Sequence, residues 1–91
     1  MVENTTGNKP YKSIHLDKFT EIRTFKDPTR LFWHRDLEDR MVKLLEGEVE
    51  IQFDNELPHK LEVLEKIFIK KLTYHRVISK KPFTILLEKY D

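Results

Sequence analysis

Residues 36–53 read DLEDRMVKLLEGEVEIQF, and the fold turns on whether this stretch is a helix followed by a strand or two strands joined at Gly47. Leu37, Met41, Leu44 and Leu45 fall at i, i+4, i+7 and i+8, with Asp36 placed to cap a helix and Gly47 to close it. Against this, Val49, Ile51 and Phe53 alternate with Glu50 and Gln52 directly after Gly47, the period-two signature of a strand.

The flanking sequence favours strands. Asp54-Asn55-Glu56-Leu57-Pro58 is a turn, after which Lys60 and Glu62 alternate with Leu61 and Val63 as a returning hairpin strand. Leu61, Leu64 and Phe68 offer a second helical spacing, yet Ile67-Phe68-Ile69 is β-prone. Tyr74 to Ile78 and Phe83 to Leu87 are two further short runs, separated by Ser79-Lys80-Lys81-Pro82. Upstream, Ile14 to Phe25 supplies one or two strands, Asp27-Pro28-Thr29 a turn, and Leu31-Phe32-Trp33-His34 residues suited to a pleated surface. Turns about every ten residues between short strands predict an all-β sandwich or barrel, with an α+β protein as the alternative.

The 91 residues make one domain, since a second core would need roughly another 50 residues. Residues 1–10 are polar, contain Gly7 and Pro10 and show no periodicity, so they read as a loose arm before a domain spanning 11–91. So small a domain gains from subunit contacts, and a homodimer is expected. The charges nearly cancel, at net +1, and are interspersed, which argues against a nucleic-acid partner. The basic excess around Lys66, Lys70, Lys71, Arg76, Lys80 and Lys81 reads as solvated surface. Without cysteine, thiolate metal sites and thiol nucleophiles are excluded. No apolar run approaches the ~18–20 residues of a membrane span and no signal-peptide layout is present, so a cytoplasmic location is expected. With Gly7 and Gly47 the sole glycines, phosphate-cradling loops and nucleophile elbows have no basis.

The order of these features resembles the cupin superfamily over roughly Phe32 to Val77. The family's first motif has two histidines one residue apart, a glutamate a few positions on, and a turn glycine after six intervening residues. Here His34-Arg35-Asp36 stands at the histidines, Arg40 at the glutamate, and Leu44-Leu45-Glu46-Gly47-Glu48 resembles the glycine turn. The second motif runs from a Gly-Asp pair through Pro-x-Gly to a histidine. Leu64-Glu65, Lys70-Lys71-Leu72 and Tyr74-His75-Arg76-Val77 take those places, with both glycines and the proline replaced. The resemblance implies a double-stranded β-helix, or jelly-roll barrel. It also explains the helical spacing of 37–45, because a strand that bulges can imitate a helical period.

In such a barrel Phe32, His34 and Asp36 share a face. The resemblance then implies a divalent metal (Fe, Mn, Ni or Zn) held by His34, Asp36 and His75, the ligand types of a two-histidine, one-carboxylate site suited to oxygenation or isomerisation of a small molecule. Arg40 would set a cation beside that metal. This supports a second reading, a metal-free pocket that binds an anionic metabolite through Arg40, His34 and His75. A third is a structural dimer with a vestigial pocket. Asp36 has an alternative role as the partner of Arg35 or Arg40, Trp33 and Tyr74 are expected to face outward in packing roles, Arg76 to point away from His75, and His15 and His59 to lie on the surface.

Overall fold

The structure, a computed structural model, describes residues 11–26, 29–30 and 33–90, with residues 29 and 30 described by their backbone alone. The expected arm at 1–10, the first two positions of the Asp27-Pro28-Thr29 turn, and Leu31 and Phe32 lie outside the described residues. Strands account for all regular structure among the described residues: β1 (Lys12–His15), β2 (Thr20–Phe25), β3 (Thr29–Arg30), β4 (Asp39–Gly47), β5 (Glu50–Phe53), β6 (His59–Lys60), β7 (Lys66–Ile69), β8 (His75–Ser79) and β9 (Phe83–Tyr90). They form two antiparallel sheets, β1-β2-β9-β4-β7 and β3-β8-β5-β6, the two-sheet form of a jelly roll.

The disputed stretch is therefore two strands. Val42 and Leu44 are buried on one face of β4 while Leu37, the first residue of the helical spacing, is 84% exposed before the strand begins. The pairing of β4 with β9 shifts between Leu44 and Glu46, and this bulge is what sets Leu44 and Leu45 side by side in an otherwise alternating strand. The second helical spacing dissolves similarly, with Leu61 buried but Leu64 and Phe68 exposed. The returning hairpin strand is shorter than its alternation suggests. It pairs at His59–Lys60 only, after which Leu61 donates its N–H to Val49 O (3.0 Å) and the chain turns away.

The core lies between the sheets and contains Phe25, Val42, Leu44, Ile51, Leu61, Ile69, Phe83, Ile85 and Leu87, with Phe25 and Phe83 stacked at 4.4 Å. Register then decides where the site falls. Leu44 faces Ile85, Val42 faces Leu87, and the next inward pair along the same strands is Arg40 and Lys89. On β2 the inward residues run Phe25, Arg23, Glu21. The same face thus passes from apolar to charged along its strands, and the charged end forms the wall of a cavity.

Two turns depart from their sequence chemistry. Leu64 and Leu72 stand at the glycine positions of the second motif and adopt left-handed backbone, at φ 72° and 65°. Each is held there by its own N–H, which donates to Leu44 O (2.7 Å) and Asp36 O (2.8 Å) respectively. Both side chains are mostly exposed, so little packing opposes their removal. Leu64→Gly and Leu72→Gly are each expected to stabilise the fold by about 0.5–1 kcal/mol, the left-handed strain relieved less the added entropy of the unfolded chain. Thermal melts check this, and a lowered Tm for both variants would contradict it.

Candidate metal centre

The site is assembled by backbone pairing between segments about forty residues apart in sequence. His34 and His75 exchange two main-chain hydrogen bonds (2.9 and 3.0 Å), Leu72 N–H donates to Asp36 O (2.8 Å), and Lys71 N–H donates to Asp39 Oδ1 (2.7 Å). The segment 34–36 is thereby laid antiparallel to 72–75, with the two imidazoles 4.4 Å apart and inclined by 55°. The left-handed Leu72 is part of this placement, since its N–H fixes Asp36.

Asp36 sits between the rings. Its Oδ1 is 3.6 Å from His34 Nε2 and its Oδ2 is 3.3 Å from His75 Nε2. One donor atom from each of the three residues lies within 4.8 Å of the others, and Asp36 and His75 are buried. His75 Nδ1 is 2.8 Å from Thr73 O, and because a carbonyl only accepts, that nitrogen carries a proton. Nε2 then presents either a lone pair or the second proton of an imidazolium toward the carboxylate. A lone pair facing Oδ2 at this distance is repulsive, and Oδ2 is buried without a hydrogen-bond partner. The second proton of an imidazolium, or a cation held between the two atoms, removes the conflict.

The donor set fits a divalent ion. With bonds of about 2.1 Å, a tetrahedral site separates its ligand atoms by roughly 3.4 Å, close to the two Asp36–histidine distances. The Thr73 carbonyl supplies the outer hydrogen bond that commonly orients a ligating histidine. Burial opposes ionisation of Asp36, but the nearby His75 ring, the charge of Arg40 and that of His34 together hold its carboxyl below the ordinary aspartate range. It is an anion, as a ligand must be.

All four sequence candidates meet here. Arg40 Nη1 is 3.4 Å from Asp36 Oδ1 and Nη2 donates to Glu38 Oε1 (3.0 Å), while its buried Nε has no hydrogen-bond partner. Arg40 thus stands beside the three candidate ligands. Arg76 points away, its guanidinium 4.8 Å from the Trp33 ring and its Nε donating to Gln52 (2.8 Å). Trp33 and Tyr74 stack on each other at 5.2 Å, with Arg35 over Tyr74. His59 is exposed and bonded to Glu65.

Sequence reasoning missed the opposite wall of the cavity, which has a volume of about 430 Å³ and is lined by Glu21, Arg23 and Lys89 as well as by the candidate ligands. Glu21 is 4% exposed, bonded to Arg23 Nε and Ser13 Oγ, and 3.2 Å from Nδ1 of the exposed His15. The available signal was parity: Glu21 and Arg23 share the parity of Phe25, and Lys89 that of Leu87 and Ile85. Burial raises the Glu21 pKa, but the charge and hydrogen bond of Arg23, then the charges of Lys89 and His15, lower it more. A carboxyl depressed by folding contributes stability above its unfolded value of about 4.3 and loses it as pH falls through the lower folded value. The melting-temperature gap between the protein and Glu21→Gln is accordingly expected to hold from pH 6 to 8 and to shrink below about pH 4. A gap that widened on acidification would contradict this.

No protein-family model and no curated protein sequence matches the chain. Solved structures do. A DMSP lyase from Ruegeria pomeroyi DSS-3 superposes with a TM-score of 0.72 at 16% identity, over 79% of this chain and 37% of the lyase. A cupin superfamily protein from Desulfitobacterium hafniense DCB-2 gives 0.70 at 18%, over 89% of this chain and 76% of that one. A cupin-2 domain containing protein from Shewanella frigidimarina NCIMB 400 gives 0.69 at 20%, over 85% and 76%. The chain spans little more than a third of the lyase and about three quarters of the other two. The chain has the cupin fold.

Proposed function

We propose that this protein binds one divalent first-row metal ion through His34 Nε2, Asp36 and His75 Nε2, and holds a small molecule against it in the cavity between the sheets. The observation that carries this reading is the buried, unpartnered Asp36 Oδ2 lying 3.3 Å from an imidazole nitrogen whose ring is already anchored by Thr73. When bound, the ion would supply Lewis acidity and open positions for a ligand oxygen. The chain's own residues orient the ligands and set the charge. Thr73 O fixes the His75 ring, Leu72 N–H fixes the Asp36 backbone, and Arg40 offsets the Asp36 charge from the side away from His75. Oxygenation and isomerisation are the reaction classes this ligand set suits.

Titration of chelator-treated protein with Co2+, Ni2+ and Zn2+ tests the reading. About one ion per chain is expected at pH 7.5. The His34→Ala, His75→Ala double variant is expected to bind none at the same concentration. No binding by the unaltered protein would overturn the metal reading and favour a metal-free barrel. We further propose a cytoplasmic homodimer. Ile14, Leu16, Phe19 and Phe68 are large apolar side chains exposed on the five-stranded sheet and its β1–β2 turn, and light scattering reads the assembly state directly.

A further inference from the structure

Arg40 and Lys89 are register partners on adjacent strands and both line the cavity. Like charges placed directly opposite on one sheet face repel. Their environments do not fully resolve this. Arg40 meets Asp36 (3.4 Å) and Glu38 (3.0 Å) through Nη1 and Nη2 but keeps a buried Nε without a hydrogen-bond partner, and Lys89 makes no ion pair within 4 Å among the described residues, although its charge reaches Glu21. Arg23, the third cation of this wall, is occupied by Glu21 and lies over the Tyr11 ring.

Apart from Arg35, whose guanidinium covers Tyr74, the charged residues lining the cavity are Arg23, Arg40 and Lys89 against Glu21, Asp36 and Glu38. These cancel, so a dication at His34, Asp36 and His75 leaves the cavity with an uncompensated excess equal to its own charge. That excess calls for an anionic ligand. Arg40 lies 3.4 Å from the ligating carboxylate, so an anion held by Arg40 is within reach of the ion, and the ligand spanning the two is short.

We propose, resting on the metal reading above, that the cavity takes a short carboxylic acid, one oxygen group of which binds the ion while a carboxylate is held by Arg40 and Lys89. A carboxylate can accept from the Nη–H groups of Arg40 that Asp36 and Glu38 leave free, beside the Lys89 ammonium. A phosphate would press more negative oxygens against Asp36 and Glu38, which flank the same guanidinium. Phe25, Val42, Ile69, Val77, Ile85 and Leu87 are among the apolar residues of the lining, which suits a short carbon chain.

The test titrates malonate, its neutral diamide malonamide, and inorganic phosphate into protein loaded with one Zn2+ per chain, using Lys89→Met as the variant because Lys89 is no metal ligand. Zinc affinity is expected to stay within about twofold, malonate affinity to fall about 10- to 100-fold, the range of a lost charge-assisted hydrogen bond, and malonamide affinity to be unchanged. Lys89→Arg is expected to restore malonate binding, which separates charge recognition from a folding defect. Malonate is also expected to tighten zinc binding by the factor by which zinc tightens malonate binding. Unchanged malonate affinity in Lys89→Met, or phosphate binding more tightly than malonate, would overturn the proposal. If the unaltered protein binds no zinc, the metal reading fails separately. Malonate binding to the metal-free protein that still depends on Lys89 would then support acid recognition, and its absence would overturn that too.

Discussion

Asp36→Asn is expected to weaken divalent-metal binding at least about 100-fold, more than the 10- to 100-fold typical of losing an outer-shell partner, because the change removes an anionic ligand itself. The substitution is nearly isosteric. What it removes is charge at a carboxylate that faces His75 at 3.3 Å, His34 at 3.6 Å and Arg40 at 3.4 Å. In the metal-free protein the same change leaves Arg40 with Glu38 as its remaining anion, and a destabilisation of about 2–3 kcal/mol is expected, below the 3–5 kcal/mol of a fully buried broken pair since Arg40 keeps that contact. Calorimetric titration and a thermal melt give the two numbers. Glu65→Gln is the control, because its exposed pair with His59 offers a metal two ligands on open surface and should matter little. Metal affinity within threefold of the unaltered protein in Asp36→Asn would remove Asp36 from the site.

Gly47→Ala is expected to destabilise the fold by about 3 kcal/mol or more. Two independent effects add. Gly47 has φ +93°, where an L side chain is strained by about 1–2 kcal/mol, and a Cβ built there would lie 2.3 Å from Pro82 O and 2.7 Å from Phe83 Cα. Both neighbours are backbone, so no side chain can rotate away, and Phe83 is itself a buried core residue paired with Gly47 in the sheet. For a domain this size the loss corresponds to a Tm lowered by at least about 12 °C. The opposite sign expected for Leu64→Gly and Leu72→Gly isolates the cause, since those residues share the left-handed backbone but point their side chains into solvent. A Gly47→Ala protein melting within 3 °C of the parent would show that the close approach of Pro82 is not maintained.

The residues that announced the fold were those whose local chemistry agrees with their tertiary role. Gly47 occupies a turn that admits no side chain, Val49 and Ile51 alternate because one face is buried, and His34 and His75 lie where two motif positions meet across a sheet. Leu37 to Leu45 misled because a bulge places adjacent apolar residues together, and helical periodicity cannot distinguish that from a turn of helix. The turn at Leu72 was obscured for a different reason. Its backbone is imposed by hydrogen bonding to Asp36 rather than encoded by glycine.

The opposite wall was illegible because Glu21, Arg23 and Lys89 resemble ordinary solvated strand residues until register brings them inward. Glu21 and Arg23 lie on β2 and Lys89 on β9, beside Arg40 on β4, and pairing alone shows that they face one cavity. The candidate metal ligands, by contrast, were visible as a motif and needed the structure only for their mutual distances.

The most direct measurement is the anomalous scattering of a crystal grown at neutral pH with stoichiometric Co2+ or Zn2+. One strong peak is expected about 2.1 Å from His34 Nε2, His75 Nε2 and an oxygen of Asp36. A structure in which those three side chains keep their positions with no peak among them, or in which the ion sits instead at His59 and Glu65, would contradict it.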